Sequence, residues 1–183
     1  MKKQGKKYGV IVAVLLVLFS SIGGTAAYLS GVFGLTNTFV QGVVEPVVAE
    51  DFNGSVKRNV YVENKGNVPA YIRCRVSIYQ ELADKSISMN KPQEGTDYEI
   101  QFPAALDANW LQINGIYYYK KPVEAGARTE NLFNECKLKK DGLVVDISVQ
   151  AIQADPPAAV REAWSVVEVG SDGCLKQAAS AGV

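Results

Sequence analysis

Alternation of apolar and polar side chains along residues 70–78 is the strongest pattern in the sequence. Five positions of the segment AYIRCRVSI are small or apolar, and the residues between them are Tyr71, Arg73, Arg75 and Ser77. A period of two is typical of a β-strand with one buried and one solvated face. We therefore predict a strand here, with the tyrosine, both arginines and the serine on the solvated face.

Three other segments carry strand patterns that are separated by turn residues. Residues 56–62 place three valines on one face, and residues 142–154 alternate aliphatic with polar side chains. The segments WLQI and IYYYK flank Asn114-Gly115. This dipeptide is favoured in two-residue type I′ hairpins because both of its positions need a positive φ. Many short strands with turn signals between them indicate an antiparallel fold.

Residues 155–164 are the one stretch with a helical pattern. Asp155 is placed to cap the helix, and the two prolines that follow it suit a first turn. The predicted fold class is therefore all-β. We expect a single antiparallel β-sandwich, either jelly-roll or immunoglobulin-like, with one short C-terminal helix.

An unbroken apolar run covers residues 10–19, after four lysines and before a group of small residues. A membrane-spanning helix needs about 20 apolar residues, whereas a shorter run matches the core of a secretory signal peptide. Thr25 and Ala27 are small, as a cleavage site requires. We predict that residues 1–27 are a signal peptide, cut between Ala27 and Tyr28. An uncleaved signal that tethers the chain is the alternative.

The predicted mature chain is one domain with a tail. Residues 28–167 form the sandwich domain, with residues 28–48 as its N-terminal segment, and residues 168–183 form a flexible tail. Four of the 19 basic residues fall in the signal peptide, which leaves 15 basic and 19 acidic residues and a net charge of −4. That charge favours neither nucleic acid nor an anionic membrane as a partner. Membrane contact is expected only transiently, through the signal peptide.

The absence of histidine removes several classes of catalytic site. Ser-His-Asp triads, Cys-His dyads and HExxH zinc helices all require imidazole, and the sequence contains no histidine. It also lacks a phosphate-binding loop and an EF-hand calcium loop. We accordingly expect no enzymatic activity, no catalytic residues, no cofactor and no metal site.

The cysteines and the tyrosine run each leave two interpretations open. Cys74, Cys136 and Cys174 are an odd number for an exported protein, so at most one intramolecular pair can form. Either a disulfide joins Cys74 to Cys136, or Cys74 is a core residue. Residues 117–119 are three tyrosines, and consecutive side chains on a strand point to opposite faces. Core packing is therefore favoured over a carbohydrate-binding platform.

Four segments, in order, resemble the TasA/camelysin-type exported proteins of Gram-positive bacteria. The segment GGTAAYLSGVFGLTNTFVQG is similar to their export signal and mature start. The segment VYVENKGNVPAYIRCRV is similar to an Asn-x-Gly-x-x-Pro-Ala-aromatic-x-Arg stretch of the matrix-protein branch. The later segments YYYKKPVEAGARTENLF and VQAIQAD…AW also resemble that branch. The matching positions are Asn37, Thr38, Phe39 and Gly42 in the first segment, and Asn64, Gly66, Pro69, Ala70, Tyr71 and Arg73 in the second.

The resemblance implies export through an ER-type signal peptidase, a jelly-roll-like sandwich and a structural role in extracellular matrix or biofilm fibres. Residues 35–48 are apolar and β-rich and lie directly behind the predicted cut. We expect them, including Asn37, Thr38, Phe39 and Gly42, to form an assembly strand that pairs with an open sheet edge of another subunit. The chain departs from the family in its three cysteines and in the segment EPVVAED.

The predicted function is that of a secreted matrix protein that self-associates, with other matrix components as further partners. One alternative is a cell-surface binding module or adhesin, tethered by an uncleaved signal. A secreted peptidase is less favoured. Camelysin relatives have been described as metalloproteases, but a chain without histidine lacks the ligands of such a site.

Overall fold

Antiparallel β-strands make up most of residues 41–179, the part of the chain that the structure, a computed structural model, describes. The strands within this part are β1 (Pro46–Phe52), β2 (Val56–Asn64), β3 (Ala70–Gln80), β4 (Tyr98–Gln101), β5 (Trp110–Ile113), β6 (Ile116–Tyr119), β7 (Phe133–Leu138), β8 (Leu143–Gln153), β9 (Val167–Val169) and β10 (Leu175–Gln177). The helices are α1 (Leu106–Asn109) and α2 (Ala158–Ala163). The all-β prediction is confirmed. The predicted signal peptide, its cut between Ala27 and Tyr28, and Asn37, Thr38 and Phe39 lie outside the described residues.

Two four-stranded sheets and one hairpin contain these strands. The first sheet has the order β1-β2-β7-β4, the second has the order β5-β6-β3-β8, and β9 pairs with β10. Both sheets contribute to one buried cluster, with Val60 and Phe133 from the first sheet and Ile72 and Val145 from the second. The apolar faces predicted for residues 56–62 and 142–154 are thus the faces that meet this cluster.

The predicted strand over residues 70–78 is confirmed, but its second face is only partly solvated. β3 pairs with β8 along its whole length. Tyr71 is 3% exposed and belongs to a second buried cluster, together with Val160, Trp164 and Leu175. The expectation that Tyr71 is solvated is therefore wrong, because α2 and the β9–β10 hairpin cover this part of the outer face.

The predicted Asn114-Gly115 hairpin is also confirmed. Asn114 and Gly115 have φ values of 52° and 75°, and β5 pairs with β6 on either side of them. Tyr117 packs in the first cluster, to which both sheets contribute, and Tyr118 packs in the second cluster. Consecutive tyrosines therefore face opposite sides of the second sheet, as core packing requires and as a shared platform would not allow.

The C-terminal region differs from the predicted flexible tail. Residues 167–177 form the β9–β10 hairpin, and Leu175 is 2% exposed. The sequence of residues 167–177 has too few apolar positions to show a recognisable strand pattern. The predicted helix is present as α2, but its N-cap is Pro157 and no side chain caps it, so Asp155 does not have the predicted role. The four-residue helix α1 was not predicted.

Candidate functional site at the corner between β2 and β3

Asn64 organises the corner at which the chain passes from the first sheet to the second. It is 1% exposed, and its Nδ2 donates to the carbonyl oxygens of Val68 at 2.8 Å and Val123 at 2.9 Å. Its Oδ1 accepts a hydrogen bond from the backbone N–H of Gly66 at 3.1 Å. A buried amide with all three bonds made holds the turn in one conformation. We call residues 64–67 the corner.

The corner also binds the chain that leads into β1. The backbone N–H of Lys65 donates to the carbonyl oxygen of Glu45 at 2.8 Å, and that of Asn67 donates to the carbonyl oxygen of Val43 at 3.0 Å. In return, the N–H of Val43 donates to Oδ1 of Asn67 at 2.6 Å. Residues 43–45 are therefore fixed before the first strand begins.

Gly66 permits this close approach. A Cβ at this position would lie 2.1 Å from the carbonyl oxygen of Val43, a distance that real Cβ atoms do not tolerate. Ala70, at the start of β3, exchanges two backbone hydrogen bonds with Val123, at 3.0 and 2.8 Å. Asn64, Gly66, Pro69 and Ala70, which the resemblance singled out, thus lie in or beside the corner.

Of the four residues named for the predicted assembly strand, Gly42 is the one that lies within the described part of the chain. Gly42 is exposed, and a Cβ on it would lie 3.2 Å from a side-chain methyl of Val68 and 3.3 Å from Oε1 of Gln153. Residues 46–48 of that segment pair with β2 of the same chain, and Val48 packs against the buried cluster. These three residues are thus part of the domain's own sheet, so a segment that leaves the domain would have to end before β1.

Arg73 lies away from the corner, on the outer face of the second sheet. Its guanidinium carbon is 4.9 Å from the ring centroid of Trp164 and 5.9 Å from that of Tyr118. Its Nε and Nη2 donate to Oε1 of Gln150 at 2.9 and 2.6 Å. Arg73 therefore attaches Trp164, the residue that follows α2, to the sheet through a cation–π contact.

Tyr71 attaches the C-terminal hairpin to the same face. Its hydroxyl donates to the carbonyl oxygen of Gly173 at 2.7 Å, in the turn between β9 and β10. Burial raises the pKa of the Tyr71 hydroxyl, so it keeps the proton that this hydrogen bond requires. Tyr71 and Arg73 thus hold the C-terminal elements against the second sheet. The structure does not bring these two residues together with Asn64 and Gly66.

All three cysteines are free thiols in the structure. Cys74 and Cys136 are buried in the first cluster, to which both sheets contribute. Burial raises the pKa of Cys74 to about 12 and that of Cys136 to about 11. No disulfide joins them in the structure. Cys74 is a core residue, which was the alternative to the disulfide. Cys174 is partly buried in the connection between β9 and β10.

The outer edge of β8 is the longest strand edge without a partner within residues 41–179. β8 pairs with β3 alone, over eleven residues in uninterrupted register. The backbone N–H of Ala154 donates to the carbonyl oxygen of Pro69, and that of Glu81 donates to the carbonyl oxygen of Gly142. The backbone hydrogen bonds between β8 and β3 are therefore made by the even-numbered residues of β8. The N–H and C=O groups of the odd-numbered residues of β8 therefore point away from β3, toward the open edge.

Residues 41–179 contain no group of three or more His, Cys, Asp or Glu side chains placed to hold a metal ion. None of the helices in this part of the chain is long and apolar enough to cross a membrane.

Sequence reasoning missed the loop that completes the corner. Asn64 donates its N–H to the carbonyl oxygen of Ala127 at 2.9 Å, and its own carbonyl oxygen accepts from Gly126 at 2.8 Å. The sequence marks this region as a loop through its proline and glycine, but no periodic signal connects it with residue 64.

Comparison of the chain with protein-family models, with curated proteins and with solved structures gave no match. The TasA/camelysin resemblance therefore stays a prediction from the four segments of the sequence.

Proposed function

We propose that the protein is a secreted structural subunit of an extracellular or biofilm matrix that self-associates by strand pairing. In this proposal the two four-stranded sheets pack face to face as one β-sandwich. Signal peptidase cuts after Ala27, and residues 28–42 leave the domain at the corner and reach another subunit. The observation that carries the proposal is that β8, which is eleven residues long, has no strand partner on its outer edge among residues 41–179.

An unpaired strand edge of this length is a template for another strand. Proteins that avoid such pairing place lysine, proline or a bulge on the edge. β8 contains no lysine and no proline, and its register with β3 is uninterrupted. An added strand would form main-chain hydrogen bonds with the outward-pointing groups of Val145, Ile147 and Val149.

The first experiment compares two purified chains, one that starts at Tyr28 and one that starts at Val43. Both keep the residues that the corner binds, so both are expected to fold. We expect electron microscopy to reveal fibres or sheets only for the longer chain. Equal assembly by the two chains rejects residues 28–42 as the connecting segment.

The second experiment addresses the edge itself with a pair of proline substitutions. Proline has no N–H. Val149→Pro removes an N–H that points to the open edge and leaves the ladder with β3 intact, so a folded chain that does not assemble is expected. Ser148→Pro removes an N–H that bonds to β3 and is expected to destabilise the domain by about 1–3 kcal/mol. Wild-type assembly by a folded Val149→Pro chain would place the pairing surface elsewhere.

A tethered surface protein is separated from a secreted subunit by its N-terminus. N-terminal sequencing of the exported protein is expected to begin at Tyr28. A membrane-bound product that begins at residue 1 would instead support the adhesin alternative.

A further inference from the structure

A cavity of about 380 Å³ lies between the connection that carries α1 and the loop that precedes β7. This volume is within the range of about 300–1,000 Å³ that is typical of small-ligand sites. Three amide side chains line it, from Asn109, Asn131 and Asn134, and Pro103 and Leu106 add apolar surface. The cavity thus combines hydrogen-bonding groups with a surface that suits C–H groups.

The charged side chains of the cavity balance each other. Arg128 and Glu130 both line it, and neither takes part in any of the ion pairs formed among residues 41–179. The guanidinium carbon of Arg128 lies 4.5 Å from the ring centroid of Tyr61, which holds it in place. With one positive and one negative group, the lining does not favour an anion or a cation.

Trp110 supplies the second, independent observation. This residue lines the cavity, although it is only 1% exposed. Its Nε1 is the one fully buried side-chain nitrogen or oxygen within residues 41–179 that has no hydrogen-bond partner. Buried donors almost always have a partner, and this one belongs to a residue of the cavity wall. A ligand oxygen that displaces the wall slightly would give it one.

Two of the asparagines are oriented before any ligand arrives. Nδ2 of Asn131 donates to Oδ1 of Asn134 at 3.2 Å. An amide carries two donor hydrogens and one acceptor oxygen, so Oδ1 of Asn131 and Nδ2 of Asn134 still offer an acceptor and a donor. Hydroxyl groups, which both donate and accept, match such a pair.

We propose that this cavity binds a neutral saccharide unit. The amides pair with its hydroxyl groups, the indole N–H of Trp110 donates to one of its oxygens, and Pro103 and Leu106 contact its C–H face. This function goes beyond self-association, because it would attach the subunit to a polysaccharide. It does not depend on β8 or on residues 28–42, so the two proposals fail separately.

Tryptophan fluorescence tests the proposal in the full mature chain. The sequence has two tryptophans, so Trp164→Phe leaves Trp110 as the only reporter. The probes are neutral trisaccharides of glucose and of N-acetylglucosamine, in both α- and β-linked forms where they exist, and galacturonic acid trimer as the anionic comparison. We expect at least one neutral probe to change the emission of Trp110 saturably, and the anionic probe to have no effect.

Asn134→Ala is the decisive variant, since Asn134 is exposed and its loss leaves the core intact. It is expected to weaken binding about tenfold, the effect of one lost hydrogen bond. Asn90→Ala, an exposed asparagine outside the cavity, is the matched control and should bind as the parent does. Three results would overturn the proposal: no response to any neutral probe up to about 20 mM, equal binding by Asn134→Ala, or binding of the anionic probe alone.

Discussion

The carbonyl oxygen of Val43 lies 2.1 Å from the point that a Cβ on Gly66 would occupy. No residue other than glycine fits against the chain that leads into β1. The two residues are 23 positions apart in the numbering, so this contact connects the N-terminal segment directly to the corner.

Gly66→Ala is expected to displace residues 43–45 from the corner. The added methyl group overlaps the Val43 carbonyl and breaks the backbone hydrogen bonds that Glu45 and Val43 make with the corner. We expect a loss of about 2 kcal/mol in the free energy of unfolding, with faster hydrogen exchange at Lys65 and Asn67.

Gly54→Ala is the control for that substitution. Gly54 has a φ of +91°, and a Cβ there meets nothing within 4 Å. Backbone strain of about 1 kcal/mol is expected, without any change in exchange at the corner. Unchanged exchange at Lys65 in the Gly66→Ala variant would mean that the contact does not hold the segment.

Asn64→Ala is expected to cost about 3 kcal/mol or more in the free energy of unfolding. It removes the donor for the carbonyls of Val68 and Val123 and the acceptor for the N–H of Gly66. Each buried group left without a partner costs about 1–3 kcal/mol. Urea denaturation measures the change. The same substitution at exposed Asn134 should stay within about 0.5 kcal/mol of the wild type, and an equally small effect at Asn64 would contradict the role assigned to it.

Arg73→Ala is expected to loosen the C-terminal elements, whereas Arg75→Ala is not. Both arginines lie on β3, but Arg73 contacts the rings of Trp164 and Tyr118 while Arg75 is exposed. We expect a loss of about 1 kcal/mol for Arg73→Ala and faster proteolysis within residues 165–179. Equal proteolysis of the two variants would show that the cation–π contact does not secure this region.

Stability is expected to fall as the pH rises above about 9. The thiols of Cys74 and Cys136 have pKa values of about 12 and about 11 in the folded protein, against a reference value of 9.0. In the unfolded chain they lose their protons near pH 9, while burial keeps them protonated in the folded chain. The folded state therefore binds more protons above pH 9, and its stability decreases from there until the folded pKa values are passed.

Urea denaturation between about pH 8 and about pH 10.5, under reducing conditions, measures this dependence. The slope is at most about 1.4 kcal/mol per pH unit for each thiol. A chain with both Cys74→Ala and Cys136→Ala is less stable throughout but should have a flatter profile. Burial also raises the pKa values of Tyr71, Tyr98 and Tyr117, so some dependence remains near pH 10 in that variant. Identical slopes for the two chains would exclude the thiols as its source.

The strands with a clear period of two were predictable, but the environment of their second face was not. The alternation along residues 70–78 predicts β3, and its apolar positions do face the first cluster, to which both sheets contribute. Tyr71 carries both an apolar ring and a hydroxyl, so its own chemistry does not decide between solvent and core. Its burial depends on Val160, Trp164 and Leu175, which lie about 90 to 100 residues further along the chain.

The corner was predictable as a turn but not as a binding site for the N-terminal segment. Asn64 and Gly66 are turn-forming residues, and the family resemblance singled them out. Their roles arise from Val43 and from the loop around Ala127, which no periodic pattern connects to them. Short elements such as α1 and β10 have too few residues to show a period at all.

The middle of β3 is enclosed on all sides. β6 and β8 flank it, the side chain of Ile72 enters the first cluster, and that of Tyr71 enters the second cluster. Its backbone amides should therefore exchange with solvent only when the whole domain unfolds. The slowest-exchanging amides of the molecule then report its global stability directly. Any ligand or neighbouring subunit that binds the folded state would slow them by a factor that measures how strongly it binds.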